Sequence, residues 1–256
     1  MYFKLIACEI FFRECSFLAA QSPHRVDMEF LPRGLHDLKG EDISTHILEK
    51  IRIAESVAET EKDEAKYDAI LLGYALCNNA IIGLRTSHTT MIVPRANDCI
   101  AIFFGDRHRF MDYFHQHPGT YYKTGGWIER GGSLNQHING SFQQMCGLDE
   151  TFDDWVIKYG EENAKFLWEQ LAEMRRNYSM MTFIRMGLGP EQIFEKIVRE
   201  EALDKEWNYD CVDGNLSLLR DMIYGNWDDE RFLIVPPGRE IQNSFEEDVI
   251  RLDDGE

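Results

Sequence analysis

The sequence contains no long run of apolar residues. None of its segments approaches the roughly 18–20 apolar residues that a membrane-spanning helix needs. The first residues, Met1 to Cys8, are apolar, but they lack the basic start, the longer apolar stretch and the small-residue cleavage site of a signal peptide. We therefore expect a soluble cytoplasmic protein that does not bind to membranes.

Basic side chains are also scarce. The 256 residues include 27 lysines and arginines against 45 aspartates and glutamates, which gives a formal net charge of −18. A surface this negative repels phosphate backbones and anionic lipids, so the composition argues against a partner that is a nucleic acid or a membrane surface. The charge favours a basic partner or serves only to keep the protein in solution.

The common catalytic signatures are absent. The sequence contains no CxxC pair, no P-loop, no GxGxxG, no HExxH and no GxSxG motif. Asp106-Arg107-His108 matches the start of the Asp-x-His-x-x-Gly signature of cobalamin-binding modules, but Met111 stands where that signature has glycine. We therefore do not expect this chain to bind a corrinoid directly in that way.

What the sequence does contain is a pattern of short apolar strands that alternate with amphipathic helices. Strands with apolar residues on both faces are typical of a parallel sheet. We predict an α/β protein with a Rossmann-like, open and mostly parallel sheet that has helices on both faces. Strands are predicted over residues 3–8, 26–31, 67–72, 90–93, 180–184, 209–212 and 232–235. Helices are predicted over residues 10–20, 42–62, 98–117, 151–177, 190–203 and 214–224.

Two segments lack a regular period. Residues 118–147 are rich in glycine and aromatic residues, and we interpret 118–127 as an aromatic loop that either covers a pocket or packs on the core. The acidic tail, 246–256, is predicted to be a frayed end. We divide the chain into an N-terminal α/β half, 1–148, and a helical segment with a C-terminal α/β half, 149–256, packed as one compact unit.

A short internal repeat raises the question of whether these halves are similar. Tyr67-Asp68 precedes Ile92-Val93-Pro94 by the same spacing at which Tyr209-Asp210 precedes Ile234-Val235-Pro236. Duplication of one α/β half would produce this repeat, and so would chance.

Cysteines lie at the ends of the predicted strands. Cys8 ends the first strand, Cys77 and Cys99 follow the third and fourth, and His36 follows the second. Because ligands of open parallel sheets bind beyond the carboxyl ends of the strands, we expect these four side chains to converge. Three thiols and an imidazole suit a tetrahedral zinc ion, and thiolates also hold iron–sulfur clusters.

Simpler roles exist for all of these residues. Free cysteine is commonly an inert, buried residue. This interpretation is favoured for Cys15, Cys146 and Cys211. The charged neighbours of the thiols, Glu9, Arg95 and Asp98, are candidate catalytic residues. The carboxylates would orient ligands or move protons, and the guanidinium would hold an anionic substrate. Surface ion pairs are the alternative role for these three.

Five groups of residues together resemble a known family. They are Ala7-Cys8-Glu9, Gly73-Tyr-Ala-Leu-Cys77, Pro94-Arg-Ala-Asn-Asp-Cys99, Pro118-Gly-Thr-Tyr121 with Gly126-Trp127, and Val235-Pro-Pro-Gly238. They are similar to an uncharacterised family of anaerobic archaea and bacteria, domain of unknown function sixteen thirty-eight, over nearly the whole chain. The resemblance implies a setting beside corrinoid-dependent methyltransferases in anaerobic one-carbon metabolism. The three strand-end cysteines match cysteines of the family, whereas Asn97 stands where the family commonly has histidine.

Three hypotheses for the function follow. The first is a metal-binding protein, with zinc or alternatively an iron–sulfur cluster, that serves corrinoid-dependent or other methyl transfer and acts on a thiol or another small molecule. The second is a non-catalytic accessory that binds a methyltransferase or its corrinoid protein through the acidic surface and the aromatic loop. The third is a metal-free small-molecule enzyme that uses Arg95, Asp98 and Glu9.

Overall fold

The fold is described from a computed structural model of the chain. The structure describes residues 1–33, 40–60, 67–77, 79–130, 156–157, 160–166, 178–244 and 248–253. His36, Cys146 and most of the predicted helix over 151–177 lie outside these residues. No helix in these ranges has the length and apolar character that a membrane crossing requires.

The described elements follow the predicted alternation closely. The strands are β1 (Tyr2–Cys8), β2 (Arg25–Leu31), β3 (Ala69–Gly73), β4 (Thr90–Pro94), β5 (Thr120–Thr124), β6 (Met180–Arg185), β7 (Asn208–Asp213), β8 (Phe232–Val235), β9 (Ile241–Asn243) and β10 (Ile250–Leu252). The helices are α1 (Phe12–Gln21), α2 (Gly40–Thr60), α3 (Cys99–Phe104), α4 (Arg107–Gln116), α5 (Gly125–Arg130), α6 (Glu191–Asp204) and α7 (Ser217–Ile223). A short 3₁₀ turn, Glu9–Phe11, links β1 to α1.

The larger sheet has five strands in the order β2-β1-β3-β4-β8. β1 pairs in parallel with β2 and β3, and β3 pairs in parallel with β4. β8 closes the edge, antiparallel to β4. The prediction of an α/β protein with a Rossmann-like, mostly parallel sheet is therefore confirmed.

Apolar side chains on both faces place this sheet in the interior. Every residue of β3 is buried, and Leu5 and Ile6, which point to opposite faces of β1, are both fully buried. A strand without a polar face needs cover on both sides. The chain steps from β1 to β2 in one direction and from β2 to β3 in the other, so right-handed crossovers place α1 and α2 on opposite faces.

The segment predicted to be an aromatic loop is regular structure, and that prediction was wrong. Residues 120–124 form β5, which pairs in parallel with β6 in a second sheet of order β5-β6-β7, and α5 begins at the next residue. The predicted helix over 98–117 is interrupted at Gly105, whose φ of 75° ends α3 before Asp106 caps α4. Part of the predicted frayed tail is also ordered, because β10 pairs antiparallel with β9.

Both sheets draw strands from both sides of the predicted domain boundary. β8 completes the first sheet, and β5 begins the second. The boundary at 148/149 itself lies in the undescribed part of the chain and stays a prediction. The internal repeat does not mark equivalent places, because β3 and β4 are neighbours whereas β7 and β8 belong to different sheets.

Candidate functional site

The carboxyl ends of β1 and β3 frame a pocket. These strands are neighbours, but the chain leaves β1 towards β2 on one side and leaves β3 towards β4 on the other. Such a reversal of strand order opens a crevice at the end of the sheet, and ligands of doubly wound proteins bind there. Cys8, Cys77 and Cys99 all line this pocket. We call it the thiol pocket.

Backbone hydrogen bonds bring the three cysteines to the same place. Cys8 is the last residue of β1, next to β3. The turn after β3 is joined to the loop after β4, because the Cys77 N–H donates to the carbonyl oxygen of Asn97 at 3.0 Å. Cys99 begins α3, immediately after its N-cap Asp98. The parallel pairing of neighbouring strands thus brings three cysteines that are distant in the sequence into one cluster.

The environment keeps these thiols protonated at neutral pH. Burial raises the pKa of Cys8 to about 12, and the charge of Glu9 adds to the rise. Burial also raises the pKa of Cys77 to about 12 and that of Cys99 well above its ordinary range, and Asp98 adds to both. Cys8 contributes to the raised pKa values of both other thiols, and Cys77 contributes to that of Cys99. The three sulfurs are therefore close enough to influence one another's ionisation.

The thiols share a pocket without forming a closed coordination shell. Within the described ranges, no three His, Cys, Asp or Glu side chains are arranged to hold a metal ion. The predicted fourth ligand, His36, lies outside those ranges. The cysteines that are described are all free thiols. A common ligand shell would therefore require the sulfurs of the pocket to move towards one another.

Two cysteines that were predicted to be inert lie elsewhere. Cys15 is fully buried in the core and does not line the thiol pocket. Cys211 lies half-buried in β7, where Arg185 Nη2 donates to its sulfur at 3.1 Å. Cys146 is in the undescribed part of the chain.

The three candidate catalytic residues all have structural partners. Glu9 Oε1 accepts the backbone N–H of Arg33 at 2.8 Å, and Asp98 Oδ1 accepts that of Ala101 at 3.0 Å. Arg95 does not line the thiol pocket. Its guanidinium donates to main-chain carbonyl oxygens of Asp229, Asp248 and Ile250. It thus ties the strand end at β4 to the C-terminal strand, and the catalytic roles of all three residues stay a prediction.

Three further residues of the pocket were not predicted as site residues: Arg33, Tyr74 and Trp127. Arg33 comes two residues after β2 and Tyr74 directly after β3, so their positions at strand ends were the available signal. Trp127 arrives from α5 and lies beside Cys99, where its side chain opposes the rise in that thiol's pKa. Its position depends on Gly126, which packs against the 3₁₀ turn.

The Tyr74 hydroxyl gives a prediction about stability. Tyr74 is only 7% exposed, and its hydroxyl has no hydrogen-bond partner within the described part of the chain. Burying a hydroxyl without a partner costs free energy, so we expect Tyr74→Phe to raise the free energy of unfolding by about 1 kcal/mol. Urea denaturation measures this change. A loss of stability would mean that the hydroxyl is satisfied in the folded protein.

Comparisons with known proteins identify a family. The family described as a protein of unknown function, DUF1638, matches residues 30–223, well over half of the chain. No curated protein and no solved structure matches the chain. The matched region contains Cys77, Cys99, Tyr74 and Trp127, and Cys8 precedes it. The chain belongs to the DUF1638 family.

Proposed function

We propose that the thiol pocket binds a metal ion, with zinc as the preferred ion, and that the bound ion serves group transfer to or from sulfur. The supporting observation is that three thiols from three strand ends line one pocket at the crevice of the sheet. Cys8, Cys77 and Cys99 would be the protein ligands. His36, three residues after Arg33 in the sequence, would be the fourth ligand or a close neighbour.

The donor set fits this proposal chemically. Thiols with pKa values near 12 are poor nucleophiles at neutral pH, because the reactive form is the thiolate. A cation that replaces the thiol protons would keep the sulfurs in this reactive thiolate form at neutral pH. Zinc prefers tetrahedral sulfur and nitrogen ligands, and three cysteines with one histidine form a common zinc set. An iron–sulfur cluster is the alternative occupant.

We propose methyl transfer as the reaction, in the corrinoid-dependent setting that the sequence motifs imply. When bound, zinc would hold a thiol as thiolate at neutral pH. The protein's own contribution is to exclude water, since Ala75, Ala80 and Ile10 are buried around the sulfurs and their side chains are apolar. A thiolate with little solvation can attack an alkyl group more readily than a hydrated one.

Metal analysis tests the proposal. Protein purified without oxygen and with zinc supplied is expected to contain about one metal ion per chain. Cys8→Ser, Cys77→Ser and Cys99→Ser should each reduce that content to near zero, because the remaining donors cannot complete a shell. Cys211→Ser is the matched control, since Cys211 lies in the second sheet, and it should leave the metal content unchanged. A wild type without metal, or variants that keep it, would refute the metal site.

Proton release provides an independent measurement. Because burial holds the Cys8 and Cys77 thiols protonated, zinc binding should expel about three protons per ion, one from each cysteine. Calorimetric titration in buffers of different ionisation enthalpy counts these protons. The affinity should rise with pH over the neutral range. Binding with no proton release would show that the ion sits elsewhere.

The two alternative functions stay predictions. The accessory hypothesis relied on an aromatic loop, but Trp127 lines the thiol pocket, and Tyr121 and Tyr122 belong to β5. The acidic surface remains available to a partner. The metal-free enzyme hypothesis relied partly on Arg95, whose guanidinium is engaged by main-chain carbonyl groups.

A further inference from the structure

A positively charged side chain lines the thiol pocket, and no acidic side chain among the described residues pairs with it. Arg33 is the only basic residue among the described residues that line it. Its guanidinium lies over the Trp127 ring, 4.7 Å from the ring centroid. Its backbone N–H, rather than its side chain, donates to Glu9. Within the described ranges no carboxylate pairs with this guanidinium, although the chain carries a net charge of −18.

A second donor faces the same space. Tyr74 lines the pocket and is 7% exposed, and the described residues supply no acceptor for its hydroxyl. Burial raises the pKa of this hydroxyl, and its neighbours Cys8, Cys77 and Glu9 add to the rise, so it lies near these side chains. A buried hydroxyl without an acceptor and a guanidinium without a counter-ion are both donors. Both groups can therefore donate hydrogen bonds to the same anionic group.

The size and the lining of the pocket restrict which ligand can carry that anionic group. The pocket spans about 430 Å³ including its open mouth, and most of its lining is apolar. The enclosed part of the pocket is much smaller than this, so only a small ligand can enter it from the mouth. Within it, the guanidinium lies near Cys8, and the hydroxyl lies near Cys8 and Cys77. A ligand that uses both kinds of group carries an anion at one end and a soft sulfur atom at the other.

We infer that the thiol pocket takes a small anionic thiol, with Arg33 and Tyr74 binding its anionic group and its sulfur directed towards Cys8, Cys77 and Cys99. Trp127 holds the guanidinium over its ring and thereby restricts the positions of its donors. The sulfur half of this inference rests on the proposed function. The anionic half rests on Arg33 and Tyr74 alone.

Paired ligands test the inference. The zinc-loaded protein is titrated calorimetrically with 3-mercaptopropionate and with 3-mercapto-1-propanol, which share a thiol and differ in charge. The anionic thiol should bind at least about tenfold more tightly, since hydrogen bonds from a guanidinium to a carboxylate are among the strong ones. Arg33→Gln should abolish this preference and leave the zinc content unchanged.

Arg130→Gln is the matched control. Arg130 lies on the same helix as Trp127, and its guanidinium lies over the Phe12 ring at 4.4 Å, but it does not line the pocket. This variant should keep the preference. If Arg33→Gln does not fold, Arg33→Lys replaces it, and a preference for the anionic thiol reduced by at least threefold supports the role of the guanidinium. A purely structural Arg33 would weaken both ligands equally and would overturn the inference.

The outcomes separate this inference from the proposed function. Equal binding of the two thiols to zinc-loaded wild type, or no binding of either, overturns the inference and leaves the metal site standing. If the wild type holds no zinc, the proposed function fails, and propionate is then compared with 1-propanol on the metal-free protein. A preference for propionate that Arg33→Gln removes supports the anion site, and equal binding overturns it.

Discussion

Gly126→Ala is expected to lower the free energy of unfolding by at least about 3 kcal/mol and to displace Trp127 from the thiol pocket. A Cβ at this position would lie 1.8 Å from the carbonyl oxygen of Ile10. Added methyl groups in packed interiors cost about 1–3 kcal/mol where side chains can adjust, and here the obstacle is main chain. The contact can be relieved only if α5 moves away from the 3₁₀ turn.

The neighbouring glycine supplies the control for this prediction. A Cβ at Gly125 would meet only the Phe194 ring, at 3.0 Å, and a shift of that side chain by a few tenths of an ångström relieves the contact. Gly125→Ala should therefore change the free energy of unfolding by less than about 1 kcal/mol, because alanine also favours the helix. Urea denaturation of both variants decides the matter. A Gly126→Ala protein as stable as wild type would contradict the close packing of α5 on the turn.

Glu14→Gln is expected to stabilise the protein by up to about 3 kcal/mol at pH 8 and by very little at pH 4.5. Glu14 is 2% exposed. Burial raises its pKa from 4.5 to about 7. The charges of Glu191 and Glu129 make a smaller contribution to this rise, and Arg13 partly opposes it. The unfolded chain therefore releases this proton at lower pH than the folded one does. The contribution of protonated Glu14 to the free energy of unfolding is fully present below pH 4.5 and is lost as the pH rises to about 7.

The pH dependence identifies the cause of this effect. Glutamine keeps the shape of the side chain but cannot ionise, so any packing change shifts stability equally at every pH. The difference between wild type and Glu14→Gln should grow between pH 4.5 and 7 and then remain constant. Glu200→Gln, on the exposed face of α6, serves as the control and should show a much smaller change. A difference that does not vary with pH would rule out a protonated Glu14.

The strands and the thiol cluster were predictable because they depend on local pattern and one general rule. Short continuous apolar runs such as Ala69–Leu72 are typical of buried strands, and the carboxyl ends of neighbouring parallel strands lie at the same edge of the sheet. That rule predicted that Cys8, Cys77 and Cys99 would face the same place, as they do. Metal coordination by these thiols stays a prediction.

The features that were missed depend on partners far away in the sequence. β5 has a weak local pattern and is a strand because β6, far along the chain, supplies its hydrogen bonds. Arg95 follows a strand as a substrate-binding arginine would, but the acceptors that engage it come from residues 229–250. Gly126 lets α5 approach the 3₁₀ turn closely and so brings Trp127 to Arg33, and spacing along the chain does not encode that contact.

The pairing of β4 with β8 has a consequence for the order of folding. All described residues that line the thiol pocket are made before residue 128, whereas the strand that covers the edge of β4 begins at residue 232. During synthesis on the ribosome, the edge of β4 that later pairs with β8 therefore has unpaired backbone N–H and C=O groups until β8 is made. Unpaired strand edges of this kind promote aggregation. A nascent chain cut short before Phe232 would keep that edge exposed.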